Sequence, residues 1–93
     1  MIKVEGHDLW RGGQKIGYVS GNHIYSHTGQ KIGYASGNHF YDHEGKKLGY
    51  VEGDFIYDVT GKQKMRIEDN HQHVEGGELT DAERAAVQFL LGD

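Results

Sequence analysis

The 93-residue chain contains no cysteine, so it can form neither a disulfide framework nor a cysteine-based zinc site. A bound metal would have to be held by histidine and carboxylate. No run approaches the roughly 18 apolar residues that span a membrane. The opening MIKVEGHDLW has no apolar core of the kind a signal peptide carries. A cytoplasmic location without membrane contact is therefore expected. Charge of one sign does not dominate, since the net charge is −4. That acidic balance argues against a dedicated nucleic-acid binder, which shows a basic footprint. Proline is also absent, and chain punctuation falls to 15 glycines.

Those glycines are periodic. Gly6, Gly21, Gly37 and Gly53 mark one point of a repeat, and Gly13, Gly29, Gly45 and Gly61 a second. Periodic glycine signals turns that need positive φ, not a flexible linker. The repeat itself is explicit. Residues 19–34 read VSGNHIYSHTGQKIGY and residues 35–50 read ASGNHFYDHEGKKLGY. Residues 51–67 are a looser copy, one residue longer, with Arg66 where a glycine is expected. Residues 4–18 are a copy one residue shorter. A period of this kind dictates architecture, not activity. The length fits one domain over residues 1–93.

Each repeat carries a two-residue loop: Gly6-His7, Gly21-Asn22, Gly37-Asn38 and Gly53-Asp54. Gly followed by Asn or Asp between apolar runs predicts a type II′ hairpin. Asp42-His43-Glu44-Gly45 and Asp58-Val59-Thr60-Gly61 suit a type I turn with a glycine bulge. The two-residue loop sets Ser20 opposite His23, Val19 opposite Ile24 and Tyr18 opposite Tyr25. Alternation then sorts Val19, Ile24 and Gly17 onto one face, and Tyr18, Tyr25, Ser20 and His23, with Ile16 beside them, onto the other. The first face is the expected core, with Leu9, Ile24, Phe40 and Ile56 in one layer beside Val4, Val19, Ala35 and Val51. The expected fold is mainly β: four hairpin repeats in pseudo-fourfold array, with Met1–Val4 closing the ring against residues 62–67.

Residues 68–79 read as a linker. Beyond it, Thr80 and Glu83 form a capping box, and Gly92 stands at the C′ place. Leu79, Ala82, Ala86, Phe89 and Leu90 make a stripe at helical spacing. One amphipathic helix over 80–91 is expected to pack over one end of the ring, with partner or dimer docking as the alternative. The halves differ in charge. Residues 1–67 hold nine Lys/Arg against seven Asp/Glu, a net of +2, and residues 68–93 hold Arg84 against seven acids, a net of −6.

The recurring phrase across Gly29–Tyr41 and Gly45–Asp58, followed by an Ala/Leu-rich helix from Asp81, resembles the 4-fold beta-flower family. That resemblance covers nearly the whole chain. It implies hairpins splayed around an axis in a small bacterial protein, and it implies no chemistry. The first copy departs from the pattern at Trp10-Arg11-Gly12. A second resemblance, to the YD repeats of large Rhs-type toxin shells, rests on Tyr41–Lys46 and Tyr57–Lys62. Those shells need many more repeats, so the shared feature is hairpin chemistry.

Three sets of side chains are candidates for a site. Asp8, His23 and His39 share one repeat position, with Phe55 in the fourth copy. Fourfold symmetry would gather them round an axis, and His with Asp suits Zn, Ni or Co. The competing reading leaves them as solvated residues flanking turns. His27 and His43 lie in the other turn, with Val59 as counterpart. His71 and His73 share a face if that segment is extended. The second set is aromatic: Trp10, Tyr25, Tyr41 and Tyr57 in one register, with Tyr18, Tyr34 and Tyr50 across from the tyrosines. Cross-strand pairing explains them, and a sugar or peptide groove is the sharper alternative. The third set is a row of Lys15, Lys31 and Lys47, a solvated face or a dock for the acidic tail. No nucleophile has a base beside it, no glycine loop opens a helix, and no cofactor is implied. A non-catalytic module that binds a protein partner or itself is expected, ahead of a His-dependent metal protein or hydrolase.

Overall fold

The computed structural model describes residues 1–92. Ten strands run β1 (Ile2–Glu5), β2 (Asp8–Arg11), β3 (Gln14–Ser20), β4 (His23–Ser26), β5 (Lys31–Ser36), β6 (His39–Asp42), β7 (Lys47–Glu52), β8 (Phe55–Asp58), β9 (Gln63–Arg66) and β10 (Val74–Glu75). Helix α1 (Ile67–His73) joins β9 to β10, and α2 (Asp81–Leu91) follows. The strands form one sheet in the order β10-β1-β2-β3-β4-β5-β6-β7-β8-β9.

That order and the length of α1 together fix the shape. Ten strands laid flat would span about 43 Å at their ordinary spacing. Yet the outermost strands, β9 and β10, are joined by seven helical residues, about 10 Å of helix. The sheet must therefore curl until its ends nearly meet, with α1 across the gap. The ring is thus not closed as the sequence suggested. β1 pairs parallel with β10, Ile2 opposite Val74, and not with β9. No local pattern marks that partner, because it lies some seventy residues downstream.

The hairpin registers follow the two-residue loops as expected. Val19 faces Ile24, Tyr18 faces Tyr25 and Ser20 faces His23, with the same pairing in the next hairpin. Gly6, Gly21, Gly37 and Gly53 all have positive φ. At 21–22 the turn is type I′ and not II′, because Asn22 also has positive φ, at 69°. In the longer turns Gly45 N–H donates to Asp42 O and Gly61 N–H to Asp58 O, at 3.1 and 3.0 Å. Their side chains secure them: Asp58 Oδ1 accepts from Thr60 N, Lys62 N and Thr60 Oγ1 at 2.9, 3.1 and 2.5 Å. The Thr60 hydroxyl, more than the two amides, holds the Asp58 carboxyl below its ordinary pKa. The turn's support is therefore present above the unfolded carboxyl pKa of about 4 and fades as pH falls through the lower folded value. In the first repeat Gly12-Gly13 closes Arg11 against Gln14 directly, which removes one residue and all side-chain capping.

The inner face is the core. Leu9, Ile24, Phe40 and Ile56 are fully buried, with Val4, Val19, Ala35 and Val51 beside them. Burying each large side chain contributes about 1.5–3 kcal/mol. Opposite three of them stand Gly17, Gly33 and Gly49. The fourth place, opposite Ile56, is Met65 and not Arg66, which faces Phe55. The fourth repeat is therefore in step, and counting it as one residue too long displaced the match. A register shift follows each buried residue, as between Ile24 and Tyr25. Ile16, Ile32 and Leu48 lie at these bulges and turn partly into the core. Strict alternation had set Ile16 on the outer face, and a bulge is what breaks alternation.

Residues 67–73 are helical, not linker. They carry no side-chain cap, but Glu68 and Asp69 lie in the first turn and His71 and His73 in the last, each suited to the helix dipole. In a helix His71 and His73 point about 200° around the axis from the next-but-one residue, so they share no face. Helix α2 has the expected capping box: Thr80 Oγ1 accepts from Glu83 N at 3.1 Å, and Thr80 N donates to Glu83 Oε1 at 2.9 Å. Gly92 ends it in extended backbone, φ −75°, not in the left-handed C′ form. The Arg11 guanidinium reaches over to donate to Leu91 O, a cation at the negative end of the helix.

Helix α2 does more than cap one end. Six consecutive residues, 82–87, are buried, including Glu83 and Arg84. The helix touches β5, β6, β7, β10 and α1, so the curled sheet and α1 together cover residues 82–87. Alanines at 82, 85 and 86 allow that close approach. Arg84 Nη1 donates to Val74 O and Gly76 O at 2.8 and 2.7 Å. Burial lowers its pKa, with Asp81 acting against the shift. Asn70 Nδ2 donates to Gln88 Oε1 at 2.7 Å and ties α1 to α2.

Two substitutions test this account. A Cβ at Gly33 would lie 2.6 Å from Tyr41 O and 2.5 Å from Leu90 Cδ1. Gly33→Ala is expected to cost about 1–3 kcal/mol in urea unfolding; an unchanged midpoint would refute the close approach. Arg84→Met leaves two carbonyls without their donor and is expected to cost about 2–3 kcal/mol. Amide exchange should quicken in β1 and β10 before β3–β8, and uniform quickening would show that Arg84 does not clamp that edge.

Candidate functional site

Curling the sheet splays its outer face, and three copies of one device lie there. Tyr18 stacks on Tyr25, Tyr34 on Tyr41 and Tyr50 on Tyr57, with ring centroids 4.9, 4.9 and 5.0 Å apart and planes within 17°. The stacks follow from register, since each pair is directly cross-strand. The Nζ atoms of Lys15, Lys31 and Lys47 sit 5.4, 4.9 and 5.1 Å from the Tyr18, Tyr34 and Tyr50 rings. A cation over an exposed tyrosine contributes about 0.5–1 kcal/mol. All six tyrosines are half-buried. Each stack is thus a rigid amphipathic plate, held from below by the sheet and from above by a lysine.

The candidate metal residues fall into this pattern and do not converge. The His23 ring lies 5.8 Å from Tyr34, and the His39 ring 6.0 Å from Tyr50. Asp8 pairs with Lys15 at 3.1 Å. Two strand spacings, about 10 Å, separate the two histidine strands. Among the described residues no three histidine, aspartate or glutamate side chains group to hold a metal ion. Repeat symmetry here runs round the outside of a curled sheet, so equivalent residues diverge. In the fourth copy Phe55 takes the histidine place, with the Arg66 guanidinium 5.2 Å from its ring.

Between neighbouring hairpins the plates border grooves. One, of about 470 Å³, is lined by Asn38, His39, Lys47, Tyr50 and Glu52 among others. The hairpins are joined beneath by equivalent hydrogen bonds, Ala35 N to Asn22 O at 2.9 Å and Val51 N to Asn38 O at 2.7 Å. A larger cleft of about 520 Å³ lies where the β7–β8 turn meets the helices, with Asp54, Arg66, Glu68, His71 and Asp81 in its walls. His71 Nε2 is 3.5 Å from Asp81 Oδ1, at the limit of a hydrogen bond. Sequence reasoning missed this cleft because it treated residues 68–79 as linker. The acidic start and histidine end of α1 were the available signal. The cleft walls hold no serine, threonine or cysteine nucleophile.

Among the described residues no helix is long and apolar enough to cross a membrane. No curated protein and no solved structure matches the chain. The family model of the 5-fold beta-flower protein matches residues 10–90. That corrects the fourfold expectation in its count. Four hairpins are legible as repeats, whereas β9 and β10 belong to the sheet without sharing a hairpin turn. With nearly all of its length matched, the chain belongs to the 5-fold beta-flower protein family.

Proposed function

We propose that this protein is a non-catalytic binding or structural module, and that the outer face of its sheet docks a protein partner or a second copy of the chain. The observation that carries this reading is the threefold recurrence of a lysine-capped, half-buried tyrosine stack in one register. Tyrosine offers large rigid contact area with few torsions to freeze, which is why it is enriched at interfaces. The inner face needs only apolar bulk and glycine. Nothing inside the fold requires that the outer residues be tyrosine and lysine three times over, with histidine beside them twice.

A second reading rests on the groove beside Tyr50 and His39. Apolar walls with a few polar groups suit a sugar or peptide. The metal reading draws no support from this geometry, because Asp8, His23 and His39 stand apart.

The test is charge reversal on the outer face. Lys31→Glu with Lys47→Glu leaves the core untouched. Wild type is expected either to gain mass with concentration in sedimentation, or to retain one stoichiometric protein from its native lysate. The double variant is expected to lose at least about tenfold in that affinity. A wild type that stays monomeric and retains nothing the variant loses would end this reading. Retention of a glycan alone would move it to the groove.

A further inference from the structure

Three of the four hairpins carry the complete aromatic device, and the first carries half of it. Tyr18, Tyr34 and Tyr50 each lie on a cross-strand tyrosine. Their hydroxyls reach the glycine of the following turn, where a Cβ on Gly29, Gly45 or Gly61 would sit 3.6, 3.5 or 3.6 Å away. In the first hairpin Trp10 takes the place of Tyr25, Tyr41 and Tyr57, and its cross-strand neighbour is Lys3. The turn beyond it is Gly12-Gly13. The room that a tyrosine ring fills elsewhere is here an opening of about 320 Å³, lined by Met1, Lys3, Trp10, Gly12 and Gly13.

Two further observations concern the same ring. Among the described residues the aromatic contacts of the sheet leave Trp10 without a stacking partner. Its Nε1 is covered from solvent and has no acceptor among the described residues, a state that costs free energy in a folded protein. Lys3 stands exposed beside it.

We propose that this opening binds a hydroxyphenyl ring, which stacks on Trp10 as Tyr18 stacks on Tyr25. The ring supplies the missing stack, favourable between offset planes. Lys3, cross-strand from Trp10 and exposed, offers a cation beside that ring. This deepens the outer-face reading by giving one place on that face a ligand chemistry, and it rests on that reading only because Trp10 lies there.

Trp10 is the single tryptophan, so its fluorescence and its indole N–H resonance report this opening alone. The probes are p-hydroxyphenylacetate and an end-blocked Ala-Tyr-Ala peptide, with cyclohexylacetate as a ringless control of equal charge. A saturable indole shift with either aromatic probe, and none with the control, is expected. Tighter binding of the free acid assigns a small molecule as the source, and tighter binding of the peptide assigns a protein segment.

Lys3→Tyr restores the chain's own ring. It is expected to weaken both probes at least tenfold and to raise Tm by about 1–6 °C. No saturable shift at millimolar probe overturns the proposal. So does undiminished binding to a folded Lys3→Tyr variant. If that variant does not fold, amide shifts in wild type decide: changes centred on Gly12 and Gly13 support the site, and changes elsewhere overturn it. The Lys31→Glu, Lys47→Glu variant should keep the Trp10 response, so loss of partner docking and failure of this site are separable results.

Discussion

Seven helical residues join the first-paired and last-paired edges of a ten-stranded sheet, and the rest of the architecture follows from that short tether. A sheet so wide, with ends so close, has to bend. Bending crowds the inner face and spreads the outer one. On the crowded side each large buried residue of β2, β4 and β6 meets a glycine on the next strand, so adjacent backbones can close in without a Cβ between them. Bulges after each buried residue add the local twist that curvature needs. On the spread side there is room for stacked tyrosines and lysines above them.

The bend also explains the helix. A shallow sheet would let α2 rest with one face in water, whereas here residues 82–87 are enclosed. Enclosure brings two charged side chains into the core. Glu83 is used up in its own capping box, and Arg84 is turned to the carbonyls of Val74 and Gly76. A buried cation is tolerated when it is hydrogen-bonded, and here Nη1 meets both carbonyls while Nε finds no partner among the described residues. This one also holds the short parallel strand that completes the sheet. Inside and outside therefore have separate tasks. Interior residues answer to curvature, and the outer residues are free of that demand. Membership of the beta-flower family gives the architecture without adding chemistry.

Much of this was legible from residue order. Glycine spacing and two-residue loops gave the hairpins, their register and the core residues of the sheet, because those depend on contacts a few residues apart. Thr80 and Glu83 announced the start of α2 for the same reason. What escaped was long-range or aperiodic. Val74 and Glu75 carry no strand pattern of their own and become a strand only because β1 is there. Ile67–His73 has one apolar residue and no cap, so nothing in it separates helix from linker. Met65 escaped because the fourth copy, counted one residue too long, puts Arg66 in the glycine place. The histidines looked convergent under an assumed closed ring, and a curled sheet points them outward on separate hairpins. The outer tyrosines were found in sequence as a register; the lysine caps above them depend on side-chain direction, which spacing does not give.

The pairing of β1 with β10 sets a schedule for folding. Each hairpin can form from about sixteen consecutive residues, and local contacts of that kind form fast. The ring cannot finish in the same way. During synthesis the first strand emerges early and keeps one edge unpaired until Val74 arrives. Leu9, Ile24, Phe40 and Ile56 stay uncovered longer still, until α2 leaves the ribosome. The chain is thus most prone to aggregate in the interval when its repeats are complete and its last quarter is not. Timing, and not only shape, is therefore written into the place of the helix after the repeats.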